Sequence, residues 1–354
     1  MQRTGVIVIA AIAVLVGLLT GAGALLAPYL FPRKPDRAAG PLKVAVHELS
    51  LPNPGSAERP PIDVRIWAPQ AAGDARRYPL IIYVPGWGGS RSENDVLLSD
   101  IASAGFVVAA ADDVSRDRPD PATDPADEAV RTGAFRAFSP EDIAAFPEMS
   151  ERRTRLGYDK LAKLIDALTK LPSNAIPSAI DVSRIGVVGF SFGGAVAAVT
   201  LARDPRIAAA VNLDGWVVDT PAAEGVSRPL LALYAKVDLH PSAATASTPN
   251  YYYTKLARAD FRALLGLSRS SGAKVRLIDG AEHDDFTDAR YAGHWKRWRP
   301  WRPIIRPDRM RTIVEAYLIP FLLQHVGGHS LPPGTDHPVF PEVTSIEAIE
   351  GDLR

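Results

Sequence analysis

The chain contains no cysteine. Disulfides, thiolate catalysis and cysteine-based zinc or iron–sulfur centres are therefore excluded. It also lacks net charge: forty basic residues balance forty acidic ones. No global field favours nucleic acid, and no nucleic-acid partner is expected. Internal repeats are absent, and low complexity is confined to a Pro-rich linker and the tail. What is present is an ordinary globular composition, 47% hydrophobic and 23% charged over 354 residues. That suits one large domain or two small ones.

The beginning of the chain lacks polarity. From Gly5 to Ala27 no residue is charged and almost none is polar. A helix of that length can cross a hydrocarbon core of roughly 30 Å. Residues 1–4 read as a basic n-region, with Arg3 before the run and Arg33, Lys34 and Arg37 after it. Residues 5–27 read as a transmembrane signal anchor or a signal peptide cleaved near Ala22-Gly23-Ala24; the length favours the anchor. Either reading places the main domain outside the cytoplasm, held to the membrane by this segment or secreted if the segment is cleaved. Residues 28–41, rich in proline, form a linker.

Beyond the linker, strand and helix patterns alternate. Residues 42–49 and 62–68 alternate as strands. Pro79–Val84 and Gly105–Ala111 are short apolar runs of the kind buried on both faces. Ser92–Ala104 has helical spacing. In Glu151–Leu171, Leu156, Leu161, Leu164, Ile165 and Leu168 recur at helical steps. Arg184–Phe190 reads as a strand and Gly193–Arg203 as a helix. Ala208–Leu213, Leu230–Ala235 and Lys274–Ile278 are further strands, and Arg309–His325 is a final amphipathic helix. This order predicts an α/β fold: a mostly parallel central sheet with helices on both faces, over residues 42–326. Residues 114–150, polar and rich in Pro and Asp, read as an insertion, and residues 327–354 as an irregular tail.

Gly189-Phe190-Ser191-Phe192-Gly193 carries the chemistry. A G-x-S-x-G pentapeptide alone is weak, since chance supplies one in roughly a tenth of chains of this length. Its setting strengthens it: a strand runs straight into Ser191 and a helix starts straight after it. A nucleophilic serine needs that sharp strand-to-helix turn, which holds its hydroxyl above the sheet. Glycines at 189, 193 and 194 keep the turn free of side chains. The N-terminal amides of the helix then face the developing negative charge.

The stretch Val188-Gly-Phe-Ser-Phe-Gly-Gly194, followed by Asp204 through Asn212-Leu-Asp-Gly-Trp216, resembles the platelet-activating-factor acetylhydrolase group of α/β-hydrolases. Dienelactone-hydrolase-like and cutinase-like esterases are similar more distantly. The resemblance runs from about Val64 to His283, with Ile66-Trp67-Ala68-Pro69 similar to that group's Trp-Tyr-Pro strand. The α/β-hydrolase fold orders its residues as serine, acid, histidine. His283 follows a late strand through a short loop, and His283-Asp284-Asp285-Phe286 matches the group's pattern of a histidine, a polar pair and phenylalanine. His294 is the reserve. His47 precedes the serine, His240 lies before the expected position, and His325, His329 and His337 lie in the last helix or the tail. For the acid, Asp214 ends the strand Ala208–Leu213, in a setting that resembles that of the acetylhydrolase acid. Asp238 ends the next strand, the commoner position across the fold. Asp214 is preferred because the Asn-Leu-Asp-Gly-Trp match is specific.

The oxyanion of such a mechanism needs two backbone donors. The amides expected to supply them are those of Phe192 and Trp87. The resembling group has His-Gly-x at the second position; this chain has Pro85-Gly86-Trp87, which leaves the donor but changes how the turn is braced. Phe190, Phe192 and Trp87 either make the cleft apolar or pack the sheet.

The resemblance implies a serine carboxylic ester hydrolase working through an acyl-enzyme, with no cofactor or metal. Its expected partner is a small-molecule or lipid ester of short-acyl, lipid-like or polyester-like kind. A serine peptidase or acyltransferase on the same residues, or a catalytically silent binding protein, are the alternatives. Trp295 to Arg302 interleaves three tryptophans with basic residues. That mixture suits a lipid headgroup interface or a packed loop with a basic rim. Nothing in the sequence sets an oligomeric state.

Overall fold

The computed structural model of the chain describes residues 32–54, 60–70, 76–113, 140–172, 175–176, 179–240, 249–292, 304–335 and 338–354. Its strands are β1 (Val44–Leu51), β2 (Ile62–Pro69), β3 (Arg77–Val84), β4 (Val107–Ala111), β5 (Ala179–Phe190), β6 (Ile207–Leu213), β7 (Leu230–Ala235), β8 (Lys274–Ile278) and β9 (Val343–Ser345). Its helices are α1 (Asp95–Ser103), α2 (Pro140–Thr169), α3 (Phe192–Arg203), α4 (Pro249–Ser271), α5 (Pro307–His325) and α6 (Glu350–Leu353). Among the described residues the strands form one sheet in the order β1-β2-β4-β3-β5-β6-β7-β8-β9. From β4 to β8 all neighbours are parallel. β1, β2 and β9 add antiparallel edges.

The near-continuous apolar runs follow from burial on both faces. Successive side chains point to opposite sides, so Leu80 and Ile82 enter one core while Ile81 and Tyr83 enter the other. The first core packs beneath α2, α3 and α4, with Leu161, Ile165, Val196, Phe261 and Leu264 against the sheet. The second packs beneath α1 and α5, with Leu97, Ile101, Ile313, Leu318 and Phe321. Helices thus cover both faces, and the central stretches of the parallel strands are buried.

The linker and the tail are both tied to the domain. The amides of Ala39 and Gly40 donate to Asp100 Oδ1 (2.7 Å) and Ser103 Oγ (2.8 Å) on α1. Where an irregular tail was expected, β9 closes the sheet beside β8, and Ile346, Ile349 and Leu353 join the first core. α2 begins at Pro140, ahead of the expected start, and runs through Pro147. Residues 140–150 of the expected insertion are therefore helical, while 114–139 lie outside the described residues.

The membrane anchor is corrected. No helix among the described residues is long and apolar enough to cross a membrane. The helices of adequate length, α2, α4 and α5 with 30, 23 and 19 residues, all carry charges along their length. Glu151 and Arg155 lie on α2, Lys255 and Arg262 on α4, and Arg309 and Glu315 on α5. The run 5–27 that prompted the expectation lies outside the described residues, as do His294, His337 and the tryptophan-rich stretch 295–302. A membrane-held catalytic domain is accordingly not carried forward.

α2 crosses α3 at Gly157, where a Cβ would run into Val196 and the Phe192 ring. Gly157→Leu should overpack this crossing and lower unfolding stability by about 1–3 kcal/mol. Gly266 on α4 faces open space, so Gly266→Ala should raise stability by about 0.5–1 kcal/mol through helix propensity alone. Urea unfolding of the two variants beside the parent chain measures both.

Candidate active site

β5 lies at the centre of the sheet between β3 and β6, and Ser191 follows its last residue. Ser191 adopts φ 54° and ψ −122°, a conformation that L residues avoid and that costs on the order of 1–3 kcal/mol. The turn is held by Ser191 N–H donating to the Leu213 carbonyl (2.8 Å) and by Gly194 N–H donating to the Ser191 carbonyl (2.9 Å). α3 starts at once. A Cβ at Gly189 would overlap the Gly193 carbonyl, and one at Gly193 would overlap the Val84 carbonyl. Any side chain there would push the helix off the sheet.

The next strand end carries Asp214, itself at φ 56°. Its N–H donates to the Leu233 carbonyl (2.8 Å), and its Oδ1 accepts the Ala235 N–H (2.8 Å). Asn212 braces the turn from inside: its Oδ1 accepts Gly215 N–H (2.8 Å), and its Nδ2 donates to the Gly215 carbonyl (2.7 Å). With one carboxylate oxygen fixed by the backbone, Oδ2 is left 2.6 Å from His283 Nδ1.

His283 opens a 3-10 turn, His283–Phe286, shortly after β8. A capping box formed by Glu282 and Asp285 fixes where that turn begins. The imidazole lies against the Phe190 ring, tilted by 36° with ring centroids 4.8 Å apart. Its Nε2 lies 2.9 Å from Ser191 Oγ. With Nδ1 donating to Asp214, the Nε2 lone pair faces the serine hydroxyl. Burial works against the imidazolium. The hydrogen bond and charge of Asp214, with Asp284 and Glu93 behind them, outweigh it and hold the pKa above the ordinary histidine value.

The structure thus brings Ser191, His283 and Asp214 into one hydrogen-bonded series. Asp238 stands apart: it is exposed beyond β7, and its Oδ1 accepts the His240 N–H (2.9 Å).

The turn after β3 reaches the same place. A Cβ on Gly86 would lie 3.1 Å from the Phe190 ring and 3.6 Å from Ser191 Cβ, so this backbone passes close beside the serine. Asp113 braces the turn, accepting Gly88 N–H at Oδ2 (3.0 Å). Arg153 of α2, fully buried, lies 3.5 Å from the same oxygen. Its guanidinium covers the Trp87 and Phe192 rings at 4.4 and 4.9 Å, an arrangement that favours the cation by attraction to both ring faces.

Phe192 is wholly buried and Phe190 nearly so. The Phe192 side chain packs in the core and the Phe190 ring lies against the His283 imidazole; Trp87 and Trp216, with ring centroids 6.0 and 6.1 Å from that of Phe192, keep partial exposure. Trp216 is tethered by Nε1 donating to Ser150 Oγ (2.7 Å). Behind it, the buried Asp260 carboxylate accepts the N–H groups of Val217 (2.6 Å) and Val218 (2.9 Å). Burial pushes its pKa up to about 7 against the pull of those two bonds, with Asp214 and Asp219 adding to the rise. Sequence reasoning missed Arg153, Asp113 and Asp260. Arg153 is one arginine among Arg152, Arg153 and Arg155 on a surface-like helix, and nothing in the sequence marks it as the buried one. Among the described residues no group of three or more His, Asp or Glu could hold a metal ion.

Comparison with known proteins agrees with this architecture. The chain is 26% identical over 189 residues to platelet-activating factor acetylhydrolase of Gallus gallus, covering 44% of this chain and 43% of that protein. It is 25% identical over 185 residues to the same enzyme of Bos taurus, covering 47% and 42% respectively. The chain therefore matches less than half the length of these curated relatives. The solved structure of a ferulic acid esterase from Streptomyces cinnamoneus superposes with a TM-score of 0.59 at 22% identity, covering 88% of this chain and 98% of that one. That likeness shows the α/β-hydrolase fold. Residues 62–256, just over half of the chain and spanning β2 to the start of α4, match the profile of the Dienelactone hydrolase family, and the chain belongs to that family.

Proposed function

We propose that the chain is a serine carboxylic ester hydrolase with Ser191 as nucleophile, His283 as general base and acid, and Asp214 as the residue that orients and charges the imidazole. One observation carries this reading: the unbroken series Asp214 Oδ2–His283 Nδ1 and His283 Nε2–Ser191 Oγ, at 2.6 and 2.9 Å, across three strand ends. Ser191 Oγ attacks the ester carbonyl as Nε2 takes its proton. The amides of Trp87 and Phe192 receive the oxyanion: the first sits on the turn that approaches Ser191, the second opens α3. The tetrahedral intermediate collapses as His283 returns the proton to the leaving alcohol. A water activated by the same imidazole then releases the acid from the acyl-enzyme.

The relatives named as acetylhydrolases support a short-acyl carboxylic ester as substrate. The half-buried Trp87 and Trp216 suit an apolar acyl or alkyl group better than a charged one. Ser191→Ala should abolish both p-nitrophenyl acetate turnover and labelling by a fluorophosphonate probe. Cleavage of peptide anilides without cleavage of esters would overturn the esterase reading.

The two aspartates make a second test. Asp214→Asn should lower kcat by about 10³–10⁴-fold, as expected when the imidazole loses its orienting carboxylate. Asp238→Asn should leave the rate essentially at the parent value. The sign of the pH effect also follows. Catalysis needs neutral imidazole, and Asp214 raises its pKa, so activity falls as pH drops through that raised value. In Asp214→Asn the residual activity should persist to lower pH, read from the acid limb of kcat/KM.

A further inference from the structure

The turn that carries Trp87 and the loop that carries His283 belong to distant parts of the chain, yet the proposed chemistry needs both at fixed positions around Ser191. Two residues ahead of α1 connect them. The Glu93 side chain turns toward β3: Oε1 accepts the Gly86 N–H (2.8 Å) and the Tyr83 hydroxyl (2.8 Å). Its main chain turns the other way, its carbonyl accepting the Asp288 N–H (3.1 Å). Beside it Asn94, fully buried, donates through Nδ2 to the Phe286 carbonyl (2.9 Å). Asp288 returns the contact: its Oδ2 accepts the Val96 N–H in the first turn of α1 (3.2 Å) and pairs with Lys34 (2.7 Å). The segment 93–96 is thus bonded to residues 286–288 at three points, and through one carboxylate oxygen to the residue before Trp87.

We infer that Glu93 is a positioning residue, holding the Trp87 turn by its carboxylate and the His283 loop by its carbonyl so that oxyanion donor and base keep one spacing across Ser191. The inference rests on the esterase reading above. Pro85, two residues before Trp87, has no side-chain hydrogen-bonding group and no N–H, so Glu93 braces this stretch through the Gly86 amide and the Tyr83 hydroxyl instead. Tyr83 is suited to its part. Burial first, then the charge and hydrogen bond of Glu93, with Asp288 adding and Asn94 opposing, push its pKa well above the usual phenol value. It therefore remains a hydrogen-bond donor.

Glu93 also adds negative charge near His283, alongside Asp214 from the end of β6 and Asp284 on the same loop. This gives a readout that loss of packing alone does not move. Glu93→Gln keeps an oxygen acceptor for Gly86 and Tyr83 but removes the charge; Glu93→Ala removes both. The full chain of each variant is assayed with p-nitrophenyl acetate across pH, beside thermal melts.

Glu93→Ala is expected to lower kcat about 10- to 100-fold with KM little changed, since the loss falls on transition-state stabilisation. Glu93→Gln is expected to recover most of that kcat and to shift the acid limb of kcat/KM to lower pH. A folded Glu93→Ala with parental kcat would overturn the inference, as would an unmoved acid limb in Glu93→Gln. If Glu93→Ala does not melt cooperatively, Glu93→Gln alone decides by its acid limb. A parent chain that turns over no ester overturns the esterase reading itself, whereas an active parent beside unaffected variants overturns only the role of Glu93.

Discussion

The turn from β5 into α3 leaves no room for side chains. Gly189 and Gly193 touch across it, and Gly193 lies against the end of β3. This crowding forces Ser191 into a left-handed backbone conformation, with its amide bound to β6 and its carbonyl to the first turn of α3. The neighbouring strand ends are then positioned relative to Ser191. The Leu213 carbonyl that receives the Ser191 amide is one residue before Asp214, so the elbow and the carboxylate are coupled through a single backbone hydrogen bond. Displacing either would move both.

Around that elbow, the polar groups have their hydrogen-bonding positions assigned by the backbone. Asp214 Oδ1 goes to Ala235 and leaves Oδ2 for His283. Asn212 closes the 212–215 turn on itself. Asp113 takes Gly88, and Asp260 takes Val217 and Val218. Each buried acceptor meets the backbone N–H groups of a loop, the arrangement that makes burial of a polar group tolerable. Apart from the turn that Asn212 closes, the loops near Ser191 are held by side chains from other elements. Arg153 does the same through charge, covering the rings of the two residues whose amides are proposed to receive the oxyanion.

Period and chain order made much of this legible. The apolar strands β3 to β8 were readable because both faces are buried, and the elbow because glycine must lie where backbones touch. The helix α4 was not read: Asp260 sits on its buried face, where helical periodicity asks for an apolar residue, and only the loop it binds explains it. β9 was missed because three residues of half-buried strand carry too short a pattern to stand out from a Pro/Gly-rich tail. Of the two roles the sequence left open for the Phe192 side chain, cleft wall or packing of the sheet, its ring takes the second, since the first turn of α3 packs directly on Gly157 of α2.

By itself the sequence determined the alternation of strand and helix, the place of Ser191 between them, and the chain order that puts an acid and then a histidine downstream. These depend on local geometry and on periodicity, which neighbours along the chain specify. It left two aspartates, Asp214 and Asp238, as candidates to meet His283, since both follow strands that end on the same side. Tertiary structure brings one of them to the imidazole. The backbone bonds of Asp214 aim its free oxygen at Nδ1, whereas Asp238 lies one strand further out and bonds its own loop. Arg153 and Glu93 likewise become visible only when α2 and the start of α1 are folded against the turn at Gly86, because a contact between distant segments leaves no local pattern.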